Sequence, residues 1–321
     1  MNKILVPSVI VASIALFSAS SFAENSNKLL LTGGVSQVEG AAGGGLTPWA
    51  LIGGYGTNNE IGGNVHYTYV KSNDFKLDSY GVTIGLYDRV EFSVAQQSFD
   101  VSDLRKKVRK GLGADAIGID NLDQLILGAK VRVLGEAVLD ADTWVPQVAV
   151  GLQYKDNQDS KFIEGGVIGA KSDHGTDIYV SATKLLLAQN LLLNSTLRFT
   201  KANQFGLLGF GGAKHDSYQP ELELSAAYLL RKNLAIGAEY RMKPNNLESP
   251  SNPALQGLTG SGRSINLTEN DAFDVFVAYA PTKNISLTAA YVNLGNIATV
   301  DAVGADYGKQ DAVYLSAQIG F

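Results

Sequence analysis

The stretch WVPQVAVGLQY, residues 144–154, sets Trp144, Pro146, Val148, Val150, Leu152 and Tyr154 on one parity and Gln147, Ala149, Gly151 and Gln153 on the other. A period of two with one apolar side belongs to an extended strand that faces an apolar medium on that side. The pattern returns in Tyr80, Val82, Ile84 and Leu86, in Leu191, Leu193, Leu197 and Phe199, and in Leu222, Leu224, Ala226 and Tyr228. It returns again in Leu234, Ile236, Ala238 and Tyr240, in Phe273, Val275, Val277 and Tyr279, and at the chain's end in Val313, Leu315, Ala317, Ile319 and Phe321. Each segment runs about ten residues, the length a tilted strand needs to cross a bilayer.

The connections alternate in length. Short links lie at 57–60, 87–89, 139–143, 187–190, 231–233 and 281–284, and longer polar or Gly-rich stretches at 100–123, 155–176, 201–219, 244–270 and 294–310. Short turns at one end and long loops at the other are the asymmetry of an outer-membrane barrel, with the turns in the periplasm. The expected fold is therefore all-β: a transmembrane antiparallel up-and-down β-barrel of about 14 strands, counted from a first strand near Leu29, with both termini periplasmic. A soluble β-sandwich would also alternate, but a polar connection as long as 244–270 fits such a compact domain poorly.

Residues 1–23 have the layout of a cleaved secretory signal: Lys3, an apolar run from Ile4 to Phe17, then Ser21 and Ala23 flanking Phe22. The run falls short of the roughly 20 residues of a membrane-spanning helix. Residues 24–321 are then one outer-membrane barrel domain in a Gram-negative cell, in contact with outer-membrane lipid and lipopolysaccharide.

Composition removes several classes of function. The chain has no cysteine, which excludes disulfides, thiolate metal sites and cysteine nucleophiles. A net charge of −5 argues against a nucleic-acid partner. No Gly-rich nucleotide motif sits between a strand and a helix and no metal-ligand spacing occurs, so no cofactor is expected. Of the three histidines, His66 falls on an inward strand position, while His174 and His215 lie in loops beside Asp173 and Asp216. Adjacency in sequence does not make a catalytic triad, and no catalytic residue is assigned.

The inward faces are where such a barrel can filter. A hairpin bend at the Arg231–Asn233 turn sets Glu223 opposite Arg241, Glu221 opposite Lys243 and Ser225 opposite Glu239. Arg198, Lys130 and Arg132 fall on inward positions of other hairpins, as do Gln147, Gln153, Asp274, Glu91 and Gln318. These are candidate pore-lining residues of a porin-like channel for passive passage of small solutes. The alternative is a closed interior knitted by ion pairs, a structural or surface-binding barrel without transport. A carrier of hydrophobic substrates or an outer-membrane enzyme stands behind both.

Two segments could narrow the lumen. Residues 33–63 are dense in glycine and read first as bent strands with their loop, second as a hatch folded inward. In residues 101–113, Val101, Leu104, Val108 and Leu112 recur at helical spacing against Arg105, Lys106, Lys107, Arg109 and Lys110. That basic loop helix is a candidate surface site for lipopolysaccharide phosphates, or simply a solvated loop.

The terminal strand DAVYLSAQIGF resembles the C-terminal signal read by the bacterial barrel assembly machinery, with Phe321 as its last residue. Together with GGVSQVEGAAGGGLTPWALIGGYGT, LDSYGVTIGLYDRVEFS, WVPQVAVGLQYKDN and LLLNSTLRFTKANQFGLLGFGG, the chain resembles a proteobacterial outer-membrane β-barrel family known only as a domain of unknown function. The resemblance implies an envelope address and supplies no activity, substrate or catalytic residue.

Overall fold

Twelve of the alternating segments hydrogen-bond edge to edge until the last meets the first, so the sheet closes without a free edge. The computed structural model describes residue 31 and residues 33–321, apart from 113–114, 116, 139–142, 160–162, 165–167, 248–264 and 301–303. The expected signal at 1–23 lies outside the described residues. The wall strands are β1 (Ile61–Ser72), β2 (Lys76–Leu86), β3 (Val90–Asp100), β4 (Asn121–Leu134), β5 (Gln147–Asn157) and β6 (His174–Leu186). They continue as β7 (Leu191–Thr200), β8 (Gln219–Arg231), β9 (Leu234–Arg241), β10 (Ala272–Tyr279), β11 (Ile285–Asn293) and β12 (Asp311–Gly320). Each pairs antiparallel with its neighbour in sequence, and β12 pairs β1 from Ala312 with Ser72 to Gly320 with Asn64.

Two expected strands are missing from the wall. A count of about fourteen takes the chain from Leu29 onward as wall, but its described residues 31 and 33–56 run inside the barrel. Its regular structure is one short pairing, Val35–Ser36 with Ala42–Gly43. Its described residues from Leu31 to Gly56 are buried. The first wall strand starts at Ile61, and the Gly-rich segment is a plug from residue 31 to 56 followed by the beginning of β1.

The alternation sorts the faces as the sequence implies. Val150, Leu152, Ile178, Val180, Leu197, Leu224, Val275, Val277, Val313 and Leu315 are exposed on the outer surface, while Gln153, Asp177, Arg198, Glu223 and Asp274 are buried inside. Among the described residues no helix is long and apolar enough to cross a membrane, which says nothing of a barrel, whose crossing elements would be strands. The long connections gather at one end, the loop end, and the turns and Phe321 at the other.

The helix expected at 101–113 is present as α1 (Ser102–Leu112). Val101 and Val108 are buried in an apolar cluster at the loop end with Phe75, Phe99, Leu122 and Tyr307. A second apolar cluster, with Leu31, Trp49, Leu185, Leu192 and Phe276, fills the turn end. Between the two lies a charged layer.

Candidate functional site

The plug is irregular chain, so its peptide groups need partners from elsewhere. The inward side chains of the wall supply them. Ala50 N–H donates to Thr183 Oγ1 (2.8 Å) and the Gln147 amide donates to Ala50 O (2.6 Å). Ser79 and Gln97 donate to Val38 O (2.7 and 2.8 Å), and Thr83 donates to Gly40 O (2.8 Å). Thr196 donates to Pro48 O (2.8 Å), and Trp49 Nε1 donates to Ser225 Oγ (3.0 Å). Ser36 Oγ reaches Asn64 (2.9 Å) and Gln318 (2.8 Å) across the closing seam.

Charged residues tighten this seat at two places. Glu91 accepts the N–H groups of Ala42 (3.1 Å) and Gly53 (2.8 Å) and pairs with Lys130 Nζ at 3.0 Å. Lys130 in turn donates to the carbonyls of Ala42 (3.0 Å) and Trp49 (3.1 Å). Near the plug tip, Glu39 is fully buried and takes a two-pronged contact from Arg241, Nη1 to Oε2 at 2.9 Å and Nη2 to Oε1 at 3.2 Å. Lys155 Nζ also binds Glu39 and pairs with Asp177 at 2.8 Å. Arg198 joins Glu223 to Asp177 (3.2 Å) and Gln153 (2.7 Å), and Arg241 Nε lies 3.2 Å from Glu223. Three carboxylates, Glu39, Asp177 and Glu223, thus face three cations, Lys155, Arg198 and Arg241, in one buried cluster. Opposed charges in low dielectric hold strongly only when matched in this way.

Two further carboxylates stand beside the cluster without a cation. Glu239 and Asp274 are direct partners across the β9–β10 ladder. Glu239 accepts from Leu46 N–H (2.7 Å), Thr47 Oγ1 (2.6 Å) and Ser225 Oγ (2.8 Å). Asp274 is buried with no cation paired to it among the described residues. Where the plug passes Glu239 the residue is Gly44, and a Cβ there would come within 2.1 Å of Oε1.

Sequence reasoning placed Glu223, Arg241, Glu239, Arg198 and Lys130 on the inner wall, and the structure brings all five against the plug or its ion cluster. The Glu223–Arg241 and Ser225–Glu239 registers are as expected. The register runs on past the end of β9, where Met242 N–H donates to Leu222 O (3.1 Å), and the Lys243 ammonium there donates to Gln204 Oε1 (3.0 Å) and Leu294 O (2.8 Å). The first of these partners comes from the inward-folded loop 201–212 and the second from the chain just after β11. Arg132 sits at the turn end with Asp88 (2.8 Å), Glu136 (2.9 Å) and Asn58 (3.1 Å), away from the cluster.

Glu39, Lys155 and Asp177 were not anticipated. For Lys155 a signal existed, because it continues the inward parity of Gln147 and Gln153; the boundary drawn at 155 cut it off. On α1, Arg105 is paired with Asp115 and Asp120, Lys106 with Asp103, and Lys107 lies 3.9 Å from Asp74 and over the Tyr307 ring. The hydrogen bonds from Arg105 hold the Asp115 carboxyl down at about 2. Arg109 and Lys110 complete the basic face. His66 is buried with both ring nitrogens unpartnered, and His174 contacts Asp173 (2.7 Å) at the loop end.

Residues 32–318 match a family described as "Protein of unknown function (DUF3034)". No curated protein matches the chain. Among solved structures, the KdgM porin superposes with a TM-score of 0.44 at 10% identity, over 80% of this chain and 99% of its own. The NanC porin gives 0.45 at 9% identity, over 80% and 98%. The outer membrane phospholipase A from Escherichia coli gives 0.39 at 10% identity, over 84% and 98%.

Proposed function

The chain belongs to this DUF3034 family, from which no activity is inherited, and we propose from its geometry that it is a porin-like outer-membrane channel, closed at rest by its own N-terminal plug and passing small solutes when the plug yields. The observation that carries this reading is the way the lumen is filled. A barrel of about 8 strands is packed by its side chains and one of 16 to 18 leaves an aqueous channel. Twelve strands leave intermediate room, and here a separate stretch of chain takes it. That stretch is seated by hydrogen bonds and ion pairs to a polar wall, which is the kind of contact that water and solute can replace. The exposed apolar exterior supports the outer membrane as the site, with lipid and lipopolysaccharide around it and the barrel assembly machinery as the route of insertion.

The closed interior, with Glu39, Asp177 and Glu223 matched by three cations, also favours a second reading, a barrel without transport. Conductance of the purified protein in planar bilayers separates the two. Wild type is expected to open rarely, and Glu39→Gln, which removes the plug's charge from the Lys155, Arg198 and Arg241 cluster, is expected to open often. Absence of openings in both proteins would overturn the channel.

A further inference from the structure

Barrel lumens are polar as a rule, yet the loop-end half of this one holds a partly open apolar pocket of about 60 Å³. Its floor is the plug, through Val38 and Leu46; its wall includes Val70 and Phe99; its cap is the inward-folded loop, through Phe205 and Leu208. A water needs roughly 10 to 15 Å³ by this measure and a cavity that takes a benzene is about 150 Å³, so the space suits a short alkyl segment as it stands and a small ring once the cap gives way. Water is poorly suited to it, because the polar groups on its lining are already engaged. Ser72 Oγ donates to Gln310 (2.7 Å), and Gln204 donates to Asn296 O (2.7 Å) while accepting from Lys243 (3.0 Å). Tyr314 Oη reaches Ser36 O (3.4 Å).

The cap carries a second, independent observation. Gln204 and Phe205 both hold left-handed backbone angles, φ of 44° and 63°, which non-glycine residues seldom adopt. Such angles persist where surrounding contacts over-determine them, and they gather at ligand clamps. Those contacts are present: Gln204 N–H donates to Glu269 (2.9 Å), Lys155 donates to Phe205 O (3.1 Å), and the Arg241 guanidinium lies 4.3 Å from the centre of the Phe205 ring. Arg241 and Lys155 therefore touch both the plug's Glu39 and the cap.

We propose that this cavity is a binding site for a small apolar molecule, an aromatic ring or a hydrocarbon segment of comparable size, held between plug and cap. The proposal deepens the channel reading and rests on it for any role in passage: an occupant would press on the two elements that share Arg241. A pocket with apolar walls and its buried polar atoms satisfied internally is the form that takes such ligands.

The test uses the full-length barrel in phospholipid nanodiscs with fluorobenzene as the probe, followed by fluorine NMR and competed with toluene. Wild type is expected to show one saturable site per chain above the unsaturable partition into lipid. Leu46→Trp, on the plug, and Leu208→Trp, on the cap, fill the space from opposite sides and should each weaken the saturable component about tenfold or more. No saturable component in wild type, or one of equal strength in both filled variants, overturns the site, and the wild-type titration alone decides if a variant fails to fold. Saturable binding with no conductance in any plug variant would sustain the cavity and remove the channel, and conductance without saturable binding would do the reverse.

Discussion

Glu39 on the plug and Arg241 on β9 lie 202 residues apart in sequence and meet through two N–H···O contacts of 2.9 and 3.2 Å in the middle of the barrel. The pair is the point at which an interior segment is fastened to a wall that closes without it.

Because Arg241 also reaches Glu223, reversing it to glutamate places it against two carboxylates. Leaving a buried charge unmatched costs about 3 to 5 kcal/mol, and the plug can escape that cost where the wall cannot. Glu39→Arg and Arg241→Glu are each expected to raise open probability in planar bilayers with normal heat-modifiability. The double exchange should restore part of the closed behaviour. Additive effects in the double variant would mean that the two residues do not act on each other.

Gly44 passes Glu239 too closely for a side chain. Gly44→Ala is predicted to unseat the plug while the wall assembles normally, seen as raised conductance and as faster protease cleavage within 33–56. Wild-type protection of that segment in the variant would contradict the close approach.

Asp274 is the reverse case, a buried carboxylate directly across the ladder from a second one, Glu239. Two carboxylates side by side in a buried site repel when ionised, and a neutral amide of the same shape removes that repulsion. Asp274→Asn should stabilise the barrel by about 1 to 3 kcal/mol, read as a higher temperature for the heat-modifiability transition. A lower transition temperature would show that the carboxylate has a favourable partner.

Phe321 closes the seam. Its backbone carbonyl accepts the N–H groups of Tyr55 (3.1 Å) and Gly63 (2.9 Å), and its N–H donates to Gly63 O (2.9 Å). Deleting it should lower outer-membrane abundance several-fold while the total amount of chain made is unchanged. Undiminished heat-modifiable barrel in outer-membrane fractions would refute the role assigned to it.

Orientation follows from the two ends of the wall. With a cysteine-free background, Lys110→Cys on α1 should react with an impermeant maleimide on intact cells, and Lys232→Cys in the β8–β9 turn should not. Labelling of 232 alone would turn the barrel over.

The wall was legible because each strand carries its own evidence. Val150 and Leu152 against Gln147 and Gln153 settle two faces within a few residues, and the Arg231–Asn233 turn sets the Glu223–Arg241 register locally. The plug was not legible for the opposite reason. Glycines with short apolar runs suit bent strands as well as an interior segment, and what distinguishes them is contact with residues as distant as Thr183 and Arg241. Counting 29–56 as wall added the two surplus strands. Glu39 had no local mark, since a single carboxylate among glycines looks like any loop residue until its three cations are in place.

Ser36 bonds to Gln318 from 282 residues away, and Tyr55 leans on the carbonyl of the final residue. The seat of the plug is therefore incomplete until the last strand is in place, so a segment ahead of the first wall strand depends for its anchorage on residues at the close of the last.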